Sequence, residues 1–362
     1  MDIFANFYFG WSLYNIIVLI LLVVLLSGKK IKKEHDHLFI GIIFILYLLL
    51  GIFGNSITAD YLPYKDIVKT LAIANNSYVH VEDFFRLWIP YIGNNYFLYL
   101  CIMNLLSLSF LYLIVVKLQS NNNVLFLLSF SLILLYGWIG ERQSLFFAVY
   151  TLGILLLIEK KYIGALILFF LSFFLHKISY MALPILLLCF IPLRKKILRL
   201  IIFSFPILAI VCYIAFYSNM DFIIDNLGSI GVVYLEKEEG EHAGGSLWWV
   251  LISYYKTFVL YFLSVYLLCK FYRFRSSRKI SILYSILFWT ILISFFFYIL
   301  LPEKTIANRC LRLGLIPMCY FLSVLTNYVR VRNMHRICFF LICIVYLLLN
   351  NAYILGVSRS TL

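Results

Sequence analysis

Charged residues are scarce in this sequence. Asp, Glu, Lys and Arg make up 13% of the 362 residues, about half the share in an ordinary globular domain, whereas hydrophobic residues make up 64%. The apolar residues run from one end of the chain to the other. This composition excludes a soluble globular protein, a disordered protein, and a soluble enzyme held by a single membrane anchor.

Motifs for several kinds of chemistry are also absent. The eight cysteines form no CxxC pair, and nearly all lie in apolar runs, which is typical of small buried side chains rather than of disulfides or metal ligands. The sequence has no P-loop, no HExxH zinc motif, no GxSxG, no GxGxxG and no DxD. It therefore predicts no metal site and no nucleotide-binding fold.

Long apolar runs are what the sequence does contain. A membrane-spanning helix needs about 20 apolar residues, so the chain has room for about 12 such helices with short connections. We predict an all-α integral membrane protein, a polytopic helical bundle in a single transmembrane domain over residues 1–362. The predicted spans are 9–27, 38–54, 96–116, 123–139, 143–158, 162–175, 178–193, 197–217, 247–269, 280–301, 309–327 and 337–356.

The basic residues predict the orientation of these spans. If the N-terminus is outside, 19 of the 30 lysines and arginines fall in inner connections, and 13 of the 16 acidic residues fall elsewhere. Basic residues favour the cytoplasmic ends of spans. We therefore expect both termini on the outer side. This rule explains the net charge of +14 better than nucleic-acid binding does, because no basic stretch is large enough to form a domain.

Two outer connections are long, at 55–95 and 218–246. The first has aromatic and aliphatic residues at mixed helical spacing, which predicts amphipathic helices lying on the membrane. The second contains the acidic stretch EKEEGEHAGG, which indicates a solvated loop.

The apolar stretch 162–193 is too long for one span, since a single helix of that length would measure about 48 Å. One span would also put the basic group at 194–199 on the outer side, against the charge rule. Two short spans that meet at His176 and Lys177 satisfy both constraints. Polar side chains at that depth must face protein or a water-filled cavity.

Ionisable residues within or beside the spans gather towards the outer side, and such residues are functional candidates because they are costly in a membrane. They predict an outward-facing polar cavity in which arginines bind phosphate, since the guanidinium offers two parallel hydrogen bonds and stays charged. A lipid-linked diphosphate would place its charge at this depth, and an acceptor hydroxyl would need a base. The candidate bases are Asp60, Glu82, Glu141 and His176, and the candidate phosphate ligands are Arg142, Lys177, Arg309 and Arg312.

These residues have structural interpretations too. Glu141 and Arg142 suit an ion pair at the interface, and the two residues at 176–177 suit a short loop whose side chains extend to the surface. Arg309 and Arg312 are three residues apart and share a helix face, so they need either water or an anion between them.

Several segments together resemble a known family. They are ADYLPY with Asp60 and Tyr64, VEDFFRLW with Glu82, GERQSLFFAVYTLG with Arg142, Gln143 and Gly153, FFLHKISYMALP with His176, and NRCLRLGLIP with Arg309 and Arg312. In their order and span context, these segments are similar to the EpsG-like, Wzy-type polysaccharide polymerases of bacterial inner membranes.

This resemblance implies a membrane glycosyltransferase that polymerises O-antigen, capsule or exopolysaccharide without a metal or another cofactor. Its donor and acceptor would both be oligosaccharide repeat units on undecaprenyl diphosphate, joined at the periplasmic face, and a chain-length regulator would be a further partner. The implied catalytic residues are His176, Arg142, Glu82 and Asp60, and the implied substrate-binding residues are Arg309, Arg312, Lys177, Tyr64, Gln143 and Glu141.

Two features depart from the family pattern. Lys177 follows the histidine where a small or neutral residue is common, and Arg309 and Arg312 share what is usually one position. Because of these departures, the family's roles for single residues do not carry over one to one at Lys177, Arg309 and Arg312.

Two alternatives stay open on the sequence alone. One is an O-antigen ligase or another polyprenyl-phosphate-dependent membrane glycosyltransferase, although ligases typically have a large outer loop between late spans and the longest loop here is early. The other is a transporter such as a flippase for lipid-linked oligosaccharides, which would favour internal repeats and a site at the membrane midplane. The sequence shows neither of these features.

Overall fold

The computed structural model describes most of the predicted helical regions. The described residues are 3–27, 33–54, 61–73, 83–118, 142–176, 178–191, 193, 196, 200, 204, 207–208, 210–211, 214–215, 259–269, 271–272, 278–300, 305–325, 340–341, 343–345, 347–349 and 351–352. Their regular structure is helical, without strands, which confirms the all-α prediction for this part of the chain. The predictions that lie outside the described residues are span 123–139, most of spans 197–217 and 247–269, half of span 337–356, loop 218–246, Asp60, Glu82, Glu141 and Lys177.

The helices follow the apolar runs closely. They are α1 (Ile3–Ser27), α2 (Lys33–Phe53), α3 (Tyr61–Ile73), α4 (Asp83–Ile92), α5 (Tyr96–Leu118), α6 (Arg142–Ile158), α7 (Tyr162–Leu175), α8 (Ser179–Leu188), α9 (Val259–Cys269), α10 (Arg278–Leu300), α11 (Thr305–Arg312) and α12 (Leu315–Leu325). In the described part, three segments are long and apolar enough to cross a membrane: Phe7–Val24, Tyr96–Leu118 and Arg278–Tyr298. The molecule is thus a helical membrane protein, and the count of 12 spans stays a prediction.

The chain divides into two compact units. The first comprises Met1–Tyr180 and Met318–Leu362, and the second comprises Met181–Pro317. Each unit is described by itself below, and a single transmembrane domain over 1–362 stays a prediction.

The first unit is built by helices that pack in sequence order. Helix α1 packs on α2, α2 on α5, α5 on α6, and α6 on α7. Small residues permit the close contacts: a Cβ added at Gly51 of α2 would overlap the side chain of Asn104 in α5, and one added at Gly153 of α6 would lie 2.8 Å from Phe169 Cε1 in α7. Close packing of this kind stabilises helix pairs in a membrane, where lipid removes the hydrophobic driving force.

The turn between α6 and α7 joins that helix pair to α5. Lys160 in this turn has a positive φ of 64°. The carboxylate of Glu159 lies 2.7 Å from Lys117 Nζ, at the end of α5, and 3.1 Å from Lys161 Nζ. Two connections that the charge rule assigns to the inner side therefore meet at one end of this unit, as that rule requires.

The first long outer connection contains α3 and α4, so the prediction of helices at 55–95 is confirmed. Both helices contact α5, and α4 also contacts α7. Val68, Phe85 and Ile89 are buried, whereas Leu87 and Tyr91 are 71% and 89% exposed. The apolar faces of these helices thus pack on the bundle, and their location on the membrane surface stays a prediction.

Hydrogen bonds between polar side chains join α1 to Asn351, which is near the end of the described part of the chain. Asn351 Nδ2 donates to Asn15 Oδ1 at 2.9 Å, and Asn15 Nδ2 donates back to Asn351 Oδ1 at 3.1 Å. Trp11 Nε1 donates to the same Asn351 oxygen at 2.5 Å. Residues 11–15 and 351 therefore lie at one level of the first unit.

The predicted span 309–327 is interrupted near its start. The sequence predicts a continuous helix over 309–327, but α11 ends at Arg312, Leu313 and Gly314 form a turn, and α12 begins at Leu315. The physical reason is the close approach of this turn to α10: a Cβ at Gly314 would lie 3.1 Å from Thr290 Cγ2 and 3.2 Å from Leu287 Cδ1. Glycine accommodates both the turn and the contact.

Candidate functional site

His176 lies at the break between α7 and α8, which confirms the predicted interruption of the stretch 162–193. Its backbone is extended, with φ −163° and ψ 137°. Its N–H donates to the carbonyl of Ser172 at 3.3 Å, and its own carbonyl accepts from the N–H of Ser179 at 3.1 Å. These bonds satisfy backbone groups that a helix break would otherwise leave exposed to an apolar environment.

The imidazole of His176 is buried, with only 7% of the residue exposed. Its Nδ1 accepts a hydrogen bond from the backbone N–H of Ile178 at 3.1 Å. The ring centroid lies 6.2 Å from that of Phe146 in α6. The side chain is therefore fixed between the start of α8 and the N-terminal part of α6.

Arg142 and Gln143 are the first two residues of α6. Phe146, which contacts His176, follows Arg142 by four residues, a rise of about 6 Å along the helix. Because α6 and α7 form an antiparallel hairpin, the N-terminus of α6 lies at the same end of the pair as the C-terminus of α7. The structure thus brings the backbone of Arg142 and Gln143 and the buried histidine to the same end of one helix pair.

Gly153 gives this pair its close contact. A Cβ added at Gly153 would lie 2.8 Å from Phe169 Cε1 and 3.1 Å from Phe169 Cδ1. The ring of Phe169 also packs on Tyr150, with centroids 5.7 Å apart. Gly153, which follows Arg142 after ten intervening residues on the same helix, therefore allows α7 to pack closely against α6.

Tyr64 belongs to an aromatic stack in the first unit. Its ring lies parallel to that of Tyr99 at 6.5 Å, and Tyr99 also stacks on Trp88 and Tyr96 at 5.7 Å each. Tyr99 is 1% exposed. The observed contact of Tyr64 is thus a packing contact between α3 and α5, and its predicted role in substrate binding stays untested.

Arg309 and Arg312 lie on α11 in the second unit. Both side chains are half-buried, whereas Ala307, Cys310 and Leu311 on the other side of this helix are at most 3% exposed. The spacing argument that the two arginines share a face is therefore confirmed.

A hydrogen-bond chain fixes the helix that carries these arginines. Ser294 Oγ of α10 donates to the carbonyl of Ala307 at 2.6 Å. Tyr261 Oη of α9 lies 2.5 Å from the same Oγ. A serine hydroxyl has one proton, so Tyr261 is the donor to Ser294. The chain connects α9, α10 and α11, and the sequence gives no signal for it, because tyrosine and serine are common in apolar spans.

Ser179 is a second residue that the sequence reasoning missed. It is the first residue of α8 and 2% exposed, and its Oγ has no hydrogen-bond partner among the described residues. Its position three residues after the histidine was the available signal.

The described residues show no cluster of three or more His, Cys, Asp or Glu side chains suited to a metal ion. Cysteines 101, 189, 269, 310, 319 and 343 are unbridged. The first unit offers the imidazole of His176 and the buried hydroxyl of Ser179 as candidate site groups, and the second unit offers Arg309 and Arg312 on α11.

Fold and site together define a helical membrane protein with a polar helix break and an arginine-bearing helix. The model of the EpsG family matches residues 36–360, and the chain belongs to this family. Membership indicates a membrane protein of polysaccharide biosynthesis. No curated protein and no solved structure matches the chain significantly.

Proposed function

We propose that this protein is an inner-membrane polysaccharide polymerase that joins oligosaccharide repeat units carried on undecaprenyl diphosphate at the periplasmic face. The observation that carries the proposal is the buried His176 at a helix break beside the N-terminus of α6, where Arg142 begins the helix. Membership of the EpsG family supports the same class of reaction.

The chemistry is a glycosyl transfer between two lipid-linked units. The bond between the anomeric carbon of the donor sugar and its diphosphate oxygen breaks, and the electron pair stays on the diphosphate. A hydroxyl oxygen of the acceptor unit bonds to the same carbon, and its proton passes to a base, for which Asp60, Glu82, Glu141 and His176 are the candidates. Charge therefore develops on the leaving diphosphate, which cationic groups and hydrogen-bond donors stabilise.

The predicted residue roles follow from this charge distribution. Arg142, Arg309 and Arg312 would bind phosphate oxygens, because a guanidinium gives two parallel charge-assisted hydrogen bonds. Lys177 would add positive charge, Glu141 and Gln143 would orient the substrate, and Tyr64 would bind sugar. His176 would act as the base or orient the acceptor.

Deletion and complementation in the native host test the function. Deletion is expected to leave single repeat units, and wild-type protein should restore long chains. Arg142→Ala and His176→Ala should fail to restore them although both variants reach the membrane. The matched control is Ser172→Ala, since the Ser172 hydroxyl is buried but donates only to the carbonyl of Phe169 in its own helix, at 2.6 Å.

The other outcomes separate the alternatives. Full-length polymer that accumulates on its carrier after deletion would indicate a ligase instead. Repeat units retained on the cytoplasmic side would indicate a flippase. Normal polymer from both alanine variants would contradict the assignment of the site.

A further inference from the structure

The turn between α6 and α7 contains a lysine in a backbone conformation that normally takes glycine. Lys160 has a φ of 64°, in the left-handed region. Its N–H donates to the carbonyl of Leu157 at 3.1 Å, and the N–H of Lys161 donates to the carbonyl of Leu156 at 2.9 Å. These two bonds form the Schellman motif, in which the left-handed position is usually glycine. A long side chain therefore stands where the backbone favours having none.

Three lysines and one carboxylate meet at this turn. Glu159 Oε2 lies 2.7 Å from Lys117 Nζ and 3.1 Å from Lys161 Nζ, so the carboxylate is shared by two ammonium groups. Lys160 is exposed, and it forms no ion pair within the described part of the chain. Three lysines against one carboxylate leave a formal charge of +2. An anion at this turn would be attracted by that charge.

An exposed apolar face of α7 begins beside these lysines. Its side chains lie three or four residues apart, which puts them on one face of the helix, and each is at least 41% exposed: Ile163, Leu166, Phe170 and Phe174. The face covers a rise of about 16 Å, which is close to half of the roughly 30 Å hydrocarbon core of a bilayer. A phospholipid in one leaflet fits this combination, because its phosphate lies at the interface and its acyl chains extend over that distance.

We propose that the turn between α6 and α7 binds the headgroup of an anionic diacyl phospholipid through Lys117, Lys160 and Lys161, with an acyl chain against the exposed face of α7. Lys160 supplies the charge that Glu159 does not balance. A phospholipid without net charge would cover the same apolar face but would gain little from the lysines. The inference goes beyond the proposed function and does not depend on it, because the turn is predicted to face the inner side and the proposed reaction takes place on the outer side.

Substitutions at Lys160 separate the effect of its charge from that of its backbone. Lys160→Gly removes the ammonium group and suits the left-handed conformation, so its unfolding temperature in phosphatidylcholine should equal or exceed that of wild type. Lys160→Ala removes the same charge but keeps the unfavourable conformation, so it should unfold at a lower temperature than Lys160→Gly. Lys160→Arg keeps the charge. The matched control is Lys69→Ala, since Lys69 is an exposed lysine on α3, in a different connection.

The experiment uses native mass spectrometry to measure how tightly the full-length protein in detergent binds dioleoyl phosphatidylglycerol and dioleoyl phosphatidylcholine. We expect wild type to bind the first phosphatidylglycerol about ten- to thirty-fold more tightly than phosphatidylcholine. Lys160→Gly and Lys160→Ala should both reduce this preference by about five-fold, whereas Lys160→Arg and Lys69→Ala should keep it. Phosphatidylglycerol should also raise the unfolding temperature of wild type, and inorganic phosphate at the same concentration should not.

The contrary outcomes are distinct. Equal binding of the two lipids by wild type, or an unchanged preference in Lys160→Gly, would overturn the site and would leave the lysines as signals of orientation alone. Unequal losses in Lys160→Gly and Lys160→Ala would overturn the role of charge in favour of backbone conformation. An equal rise in unfolding temperature with inorganic phosphate and with phosphatidylglycerol would overturn the lipid as the occupant.

Discussion

At the residue scale, the ring of His176 shows how one local bond limits the chemistry that a side chain can perform. The sequence suggests a base or a group that orients the acceptor, because imidazole titrates near neutral pH. The hydrogen bond from Ile178 engages the nitrogen that a base would need. Sequence spacing cannot reveal this bond, since it depends on the extended backbone of His176 at the end of α7.

Glu159 gives a second prediction at this scale. The hydrogen bond from Lys117 lowers the pKa of the Glu159 carboxyl below its ordinary value of 4.5, and Lys161 adds to the effect. A lowered pKa stabilises the folded protein above the ordinary pKa, and this stabilisation is lost as pH falls through the lowered pKa. We expect Lys117→Met to reduce stability by less than about 1 kcal/mol at neutral pH, because the pair is solvent-accessible.

Thermal unfolding in detergent, at neutral pH and well below the ordinary carboxyl pKa, measures this effect. The difference between wild type and Lys117→Met should disappear in acid. The control is Lys161→Met, whose side chain is 63% exposed and which should have the smaller effect at neutral pH. A difference that grows in acid would contradict the assignment.

At the element scale, two contacts between helices are specific enough to test. The first is the fit of Gly51 in α2 against Asn104 in α5. Asn104 is 1% exposed and donates to the carbonyl of Leu100 at 2.8 Å, and an added Cβ at Gly51 would displace it. Overpacking of this kind costs about 1–3 kcal/mol, so Gly51→Ala should lower the unfolding temperature.

A double-mutant cycle provides the check. In an Asn104→Ala background the space is open, so Gly51→Ala should cost much less than in wild type. Gly41 of the same helix has no atom within 4 Å of its added Cβ, so Gly41→Ala should be neutral or slightly stabilising. Equal costs of Gly51→Ala in both backgrounds would contradict the proposed contact.

The second contact is the chain from Tyr261 through Ser294 to Ala307, which fixes α11. Ser294→Ala should destabilise the protein by about 1–3 kcal/mol, because the Ala307 carbonyl and the Tyr261 hydroxyl both lose a buried partner. Ser172→Ala is the matched control, since that buried hydroxyl donates to Phe169 in its own helix. The midpoint of thermal unfolding should be clearly lower for Ser294→Ala than for the control. Equal midpoints would contradict the stabilising role of the hydrogen-bond chain.

The two helix breaks explain what the sequence can and cannot predict at this scale. The break at His176 is predictable, because a single helix would exceed the bilayer thickness and violate the charge rule. The break at Leu313 and Gly314 is not, because the surrounding residues are apolar and one glycine inside a span is ordinary. Its cause is the contact with Thr290, which is distant in sequence.

At the scale of the whole molecule, the positive-inside rule predicts which side of the membrane each connection faces. Two exposed positions in the first unit are predicted to lie on opposite sides: Tyr91 in α4 outside, and Lys160 in the turn between α6 and α7 inside. A membrane-impermeant maleimide should label Tyr91→Cys in intact cells, and it should label Lys160→Cys only after permeabilisation. Labelling of wild-type protein measures the background that arises from its native cysteines. The reverse pattern would invert the predicted topology.

The central claim concerns the reaction itself. The most direct measurement is chain growth by purified wild-type protein in proteoliposomes that contain undecaprenyl-diphosphate-linked repeat units. The account predicts polysaccharide of increasing length, with one undecaprenyl diphosphate released for each glycosidic bond formed, and no growth with Arg142→Ala or His176→Ala. Transfer of repeat units across the bilayer without chain growth, or no consumption of the lipid-linked units by wild type, would contradict it.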